Sequence, residues 1–444
     1  MNTRGPSGAV VIGILGGGLA GLVLASRRKD AEVLEAEDRP GGLCRSLAAD
    51  GFTFDPHGSH ILFSRKPEAM RFYEDLLGDN VCRRQRNTKV YYKGRYVKYP
   101  FENGLADLPI EDNVACLMGY IEAHLARSTG RSPTPKNFKE WMYHRFGKGI
   151  TEAYLLPYNE KIWKTPADQM AIDWVEGRVP DPPLEDVVRA SLGVPTEGYT
   201  HQLHFLYPRE GGIESLVRGL LPQVGRIRTA FRVTSIRKRG GAWIVSDGRE
   251  ELQYDRLVST IPIPELIRAL PDAPKDVRAA GESLTHRALV TVMLGLDRDA
   301  VNDLSWAYFP SPEDGWFNRI SFPSNFSDRV APAGNSSAVA EMTCDPGDAV
   351  WSSADEALVD HVVAHADRMG IFRGSEVRVS RVARTRYAYV VFDLAHRRNL
   401  DLVQAYAQRI GIELLGRFGQ FDYINTDQVI LRGLSLADAL EAVA

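Results

Sequence analysis

Gly16, Gly18 and Gly21 stand in a G-x-G-x-x-G spacing, and an acidic residue, Glu35, follows about twenty residues after the first of them. Glycines at these positions let a backbone approach a pyrophosphate at the positive end of a helix, and a carboxylate at Glu35 accepts hydrogen bonds from ribose hydroxyls. The pattern therefore supports dinucleotide binding. Such a spacing alone is weak, and its context makes it specific. The run 9–15 reads as a strand, 19–26 as a helix and 32–35 as a second strand, which together form a βαβ unit. Leu19, Ala20 and Ala36 belong to the same expected cofactor-binding set.

The elements that must position these groups follow from pattern and composition. A chain of 444 residues exceeds one compact core, so several domains are expected. Its 54 basic and 57 acidic side chains are intermixed, which points away from nucleic acid and from an anionic membrane as partners. No apolar run reaches the roughly 20 residues that span a bilayer, and a cytoplasmic location is the expectation. Cys44, Cys82, Cys116 and Cys344 lack metal-ligand or disulfide-framework spacing and read as buried small side chains; no metal is expected. Val114, Leu117, Ile121 and Leu125 recur at helical spacing within a helical stretch from 107 to about 192. The stretch 226–259 alternates as an antiparallel meander would, 284–386 carries further strands around one helix, and 422–444 is a loop entering a helix. The expected fold class is α/β: a Rossmann-like dinucleotide-binding domain with a helical insertion and an additional antiparallel sheet domain. The expected boundaries are 1–82, 203–283 and 387–444 for the cofactor domain, 104–202 for the helical substrate domain, and 83–103 with 284–386 for the sheet domain.

Further motifs carry a family resemblance. Gly41-Gly42 after Glu35, Phe52-Thr53-Phe54-Asp55, and Gly58-Ser59-His60-Ile61 resemble the FAD proteins that include amine oxidases, protoporphyrinogen oxidase and UDP-galactopyranose mutase. Tyr207-Pro208-Arg209-Glu210-Gly211-Gly212 and Ser259-Thr260-Ile261-Pro262 look like later flavin-contacting turns of that superfamily. Three stretches narrow the resemblance to the mutases, especially the eukaryotic type: 93–103, Leu156–Trp163 with 174–178, and 306–310 with 316–319. The resemblance implies that the Rossmann-like domain is an FAD-binding domain of the glutathione-reductase type, with FAD active when reduced and NAD(P)H as a possible reductant. Gly41, Gly42, Leu43, Gly58, Ser59, His60, Val233, Thr260, Asp427 and Gln428 would contact it, Val233 at the adenine and Asp427 where a helix begins beneath the isoalloxazine. Asp427 as a plain helix cap is the alternative.

For the substrate the resemblance implies a nucleoside-diphosphate sugar. Arg178 and Arg319 would grip the diphosphate, Trp163, Tyr308 and Tyr389 would hydrogen-bond to it, and Trp306 and Tyr423 would join them. Tyr99, Phe101 and Tyr154 would line the nucleobase pocket, with Asn159 near the phosphates or sugar and His60 on the catalytic flavin side. The implied reaction interconverts pyranose and furanose forms of an NDP-hexose through a covalent flavin N5–sugar adduct, with no net redox change. The pattern departs from the family at three points. Glu102 stands where the mutases carry glutamine against uracil and offers acceptors only, which suits a base with more donors, such as guanine or cytosine. Gln202 stands for an asparagine at the sugar, with His201 and His204 beside it. Asp422 replaces an arginine linked to NADPH use, although Arg86 matches another residue of that site. Two other classes remain: an FAD oxidase or desaturase of the amine oxidase or protoporphyrinogen oxidase type, and a flavoprotein kept only as a binding subunit. The sequence carries no reading of oligomeric state.

Overall fold

The computed structural model describes residues 11–175, 179, 181–196 and 203–441. The β-branched run of the first motif forms the strand Ile12–Leu15 at the centre of a five-stranded parallel sheet. Its neighbours are Ala31–Leu34 on one side, followed by Arg226–Arg228, and Arg256–Ser259 on the other, followed by Ile412–Leu414. All four residues of the central strand are buried, as near-continuous apolar strands in covered parallel sheets are. The helix Leu19–Arg27 covers one face, packing against the last helix, Thr426–Glu441.

The second body is a seven-stranded sheet ordered Val377–Val390, His286–Leu296, Ser336–Cys344, Arg319–Ser321, Trp306–Tyr308, Thr88–Tyr92 and Arg95–Lys98. One junction in it is parallel, between Trp306–Tyr308 and Thr88–Tyr92; the others are antiparallel. The structure is thus mixed α/β, with a parallel sheet and additional antiparallel sheets. The stretch 226–259 differs from the expected meander. Its middle, Ser235–Tyr254, is a three-stranded antiparallel sheet, but both flanking strands join the parallel sheet instead. Alternation is local, whereas the partner of a strand is chosen by what lies beside it.

Helices fill Ile110–Ser128, Phe138–Ile150, Leu156–Trp163 and Leu184–Ser191. The apolar stripe read on the first of these faces the core only in part: Leu117 packs against it, whereas Val114 is 53% and Leu125 48% exposed. The buried face is instead Asn113, Cys116, Gly119 and Tyr120. Backbone proximity is the reason. A Cβ on Gly149 would lie 2.4 Å from the Ala115 carbonyl oxygen, and one on Gly119 would lie 2.9 Å from the Gly149 nitrogen. The two helices cross through glycine, and that close approach outweighs the burial of a few aliphatic side chains. Among the described residues no helix is long and apolar enough to cross a membrane. Replacing Gly149 with valine is expected to lower unfolding free energy by about 1–3 kcal/mol in urea titrations; an unchanged midpoint would show that the crossing does not depend on the glycines.

Candidate functional site

The central strand runs directly into Gly16, whose φ of +102° is open to glycine and strained for other residues. A Cβ there would sit 2.5 Å from Thr260 Oγ1, and one on Gly21 would sit 2.2 Å from the Gly16 carbonyl oxygen. Gly21 therefore closes helix on strand, while Gly16, Gly18, Leu19 and Ala20 line a cavity of about 1720 Å³. Glu35, at the end of the next strand, accepts from the Gly17 and Glu37 amides, each at 2.8 Å. This fixes the carboxylate at the cavity wall, beside Ala36, with lone pairs left for ribose hydroxyls. Gly41 stands behind the wall, donating its amide to the Gly17 carbonyl at 2.8 Å, and so brings Gly42 and Leu43 to it.

Val233, Thr260, Asp427 and Gln428 line the same cavity, as do Gly58, Ser59 and His60. Asp427, in the first turn of its helix, accepts from Ser64 Oγ through Oδ2 at 2.6 Å. The same turn lines the cavity, where a helix amino terminus favours negative charge. Ser59 Oγ and His60 Nδ1 are buried without a hydrogen-bond partner. Burial and then the nearby Arg417 guanidinium lower the His60 pKa to about 3, so its ring is neutral. A glycine cradle, a fixed carboxylate at a strand end and orphaned polar atoms facing one space fit a flavin dinucleotide. The turn 207–212 does not line this cavity. Its tyrosine points into the protein, where Tyr207 Oη donates to Asp55 at 2.8 Å.

The other half of the cavity is cationic and phenolic. Tyr308 and Arg319 are cross-strand partners, so one register brings both to the wall. Arg319 donates Nε at 3.0 Å and Nη2 at 2.7 Å to Glu341, whose side chain is fully buried. Burial opposes the charge on Arg319, the carboxylate outweighs it, and the guanidinium pKa is held above its ordinary range. Because Nε and Nη2 are turned to Glu341, the Nη1 edge is left as the part of the fork available to a ligand. Glu341 also accepts the Ser59 amide at 3.1 Å, tying the arginine to the flavin-side loop. Arg417 lines the cavity with Nε and Nη2 buried and without hydrogen-bond partners, its guanidinium 4.5 Å from the Tyr423 ring centre and 5.5 Å from that of Tyr389. Arg86 lies 4.8 Å from the ring centres of both Tyr99 and Trp306, which share the wall.

Other expected ligand residues are not brought to this wall. Phe101 and Tyr154 are buried and stack on each other at 5.0 Å. Trp163 donates its indole N–H to Asn159 at 3.1 Å, one helical turn away, and Asn159 donates to the Leu155 carbonyl at 2.7 Å. That pair closes on its own helix. Asp422, by contrast, does line the cavity, and it accepts from Arg432 at 2.8 Å. Arg178, Gln202 and His201 lie outside the described residues. Sequence reading missed Glu341 and Arg417. Glu341 has a signal, a lone carboxylate inside the apolar run Ser336–Cys344; Arg417 has a fainter one, an arginine bracketed by Gly416 and Gly419 just after a strand.

Glu102 is 4% exposed, and burial pushes its pKa up to about 7. Between its ordinary value near 4.5 and about 7 the folded chain holds the proton more tightly than the unfolded chain, so stability falls as pH rises through that window. Glu102→Gln is expected to unfold about 1–3 kcal/mol later than the wild type at pH 8 and level with it at pH 4. Urea titration at both values is the check, and a gain of equal size at pH 4 would assign the effect to packing.

Similarity to known proteins agrees with this geometry. The solved structure of reduced UDP-galactopyranose mutase superposes with a TM-score of 0.89 at 25% identity, covering 98% of this chain and 94% of that one. A putative protoporphyrinogen oxidase from Exiguobacterium sp. 255-15 gives 0.77 at 21% identity, covering 99% and 100%. Wild-type putrescine oxidase bound to putrescine gives 0.64 at 17% identity, covering 98% and 99%. The last two show a shared fold. The family model for flavin-containing amine oxidoreductases matches residues 19–409, far more than half of the sequence, and the chain belongs to that family.

Proposed function

We propose that this flavoprotein is a nucleotide-sugar mutase that interconverts pyranose and furanose forms of an NDP-hexose on reduced FAD, without net redox change. The observation that carries the reading is the second half of the cavity. Arg86, Arg319 and Arg417 share it with Tyr308, Tyr389 and Tyr423. An amine substrate is a cation and would meet charge of its own sign there, whereas a diphosphate complements guanidinium and phenol donors. The volume of about 1720 Å³ exceeds the roughly 300–1,000 Å³ of a pocket for one ligand and suits two. The structural likeness to UDP-galactopyranose mutase supports the same reading.

When bound and reduced, the flavin supplies a nucleophile for the anomeric carbon, so no protein nucleophile is required. The chain's own groups do the rest. Arg319, held by Glu341, presents its Nη1 edge to the departing diphosphate, and the sequence resemblance implies Arg178 as the second arginine of that grip. Preorganised charge of this kind stabilises a leaving group without reorganising during the reaction. Neutral His60 can hold a proton on one ring nitrogen while accepting on the other. Glu102 is buried and does not line the cavity, so the choice of base is left to the residues that do, and Gln202 favours a hexose other than galactose. NAD(P)H is a candidate reductant.

The reading is tested by incubating dithionite-reduced and oxidised protein with UDP-, dTDP-, GDP- and CDP-sugars and separating the products. Ring-contracted sugar nucleotide is expected from the reduced protein and none from the oxidised one. Oxygen consumption with an amine or alcohol, without any furanose product, would replace the mutase by an oxidase; bound FAD with no turnover in any arm would leave a binding subunit. Arg319→Ala is expected to lower nucleotide-sugar affinity and turnover together, by about a hundredfold or more, with FAD still bound. Because it strands a buried carboxylate, Arg319→Met with Glu341→Gln serves as the folded control. Turnover unchanged in both would remove Arg319 from the diphosphate grip.

A further inference from the structure

We infer that Asp55, acting with Ser46 and Glu214, is the positioning residue of the cofactor cradle, locking the Gly41–Gly42 loop and the Gly58–His60 loop into one rigid frame from behind the cavity. The inference needs only that the chain binds a flavin dinucleotide and is independent of the reaction proposed above. Asp55 is buried and accepts three hydrogen bonds: from Ser46 Oγ at 2.8 Å, Tyr207 Oη at 2.8 Å and the Ile213 amide at 3.1 Å. Ser46 is bonded through every polar atom it has. Its Oγ accepts from the Glu214 amide at 3.1 Å, its amide donates to Glu214 Oε2 at 2.8 Å, and its carbonyl accepts from Arg39 Nη2 at 3.1 Å. Arg39 also donates to both oxygens of Glu214, at 3.0 and 3.2 Å.

These bonds grip the chain on both sides of Gly41 and Gly42, at Arg39 and at Ser46. Asp55 is three residues before Gly58, so the same carboxylate sets where the flavin-side loop leaves. None of Asp55, Ser46 or Glu214 lines the cavity, whereas Gly42, Leu43, Gly58, Ser59 and His60 all do. The turn 207–212 acquires a role in this way. Gly212, at φ +63°, passes so close that a Cβ would lie 2.4 Å from Ser46 Oγ and 2.7 Å from Asp55 Oδ1. A glycine there lets the Ile213 and Glu214 amides reach the two side chains. A network this complete has one geometry, and losing a member leaves buried donors unpaired.

The test compares FAD affinity with the stability of the flavin-free chain. Asp55→Ala is expected to raise the FAD dissociation constant about tenfold or more, read by flavin fluorescence, and to alter the visible circular dichroism of the bound flavin. Asp55→Asn keeps an acceptor for Ser46 and Ile213 and can donate to Tyr207, so it should stay within about twofold of wild type. A lowered melting temperature for Asp55→Ala with unchanged FAD affinity and flavin spectrum would overturn the inference, as would an Asn variant that loses as much affinity as Ala. If the alanine variant does not fold, Tyr207→Phe removes one donor alone; FAD affinity equal to wild type would then reject the frame, and a loss of about threefold would sustain it.

Discussion

A carboxylate with no exposed surface, set in the middle of an apolar strand, is the constraint on which the site rests. Glu341 has that position, and a buried charge of this kind persists when it is paired and hydrogen-bonded. Arg319 supplies the pair and the Ser59 amide a further bond, so the seven-stranded sheet, the cationic wall and the flavin-side loop meet at one group. Either partner alone would leave an uncompensated charge in the protein interior. The same bond that secures the sheet also dictates which edge of the guanidinium faces the cavity.

The cavity consequently has two electrostatic characters. Its dinucleotide half is built from backbone: glycine loops, a helix amino terminus, and one carboxylate oriented by two amides. Its other half is built from side chains, with guanidinium groups against phenol rings. Flavin-containing amine oxidoreductases share the first half through their fold, and chemistry within such a family is decided by the second. The arginine and tyrosine content of this chain therefore carries more weight for function than the shared superposition does.

Support for both halves comes from residues that never reach the cavity. Glu341 orients one wall, and the Asp55 network backs the other. Buried polar groups of this sort cost stability unless fully bonded, and here the bonds run between loops distant in sequence. Rigid positioning of a large cofactor is the benefit that offsets that cost.

Sequence by itself determined the α/β class and the dinucleotide turn, because both arise within a few dozen residues: a β-branched run, three spaced glycines between it and a helix, and an acid at the end of the next strand. It also supplied the residue types of the ligand wall. Tertiary structure decided which of them face one space. Tyr308 and Arg319 do so through strand register, whereas Phe101 and Tyr154 turn to each other and Trp163 turns to Asn159. The exposed stripe of Val114 and Leu125 shows the same limit, since helical periodicity describes a face while the glycine crossing at Gly119 and Gly149 selects which face is buried. The partners of Glu341 and of Asp55 were legible only in space. They lie 22 to 282 positions away for Glu341 and 9 to 158 for Asp55, and no local pattern encodes a bond across such separations.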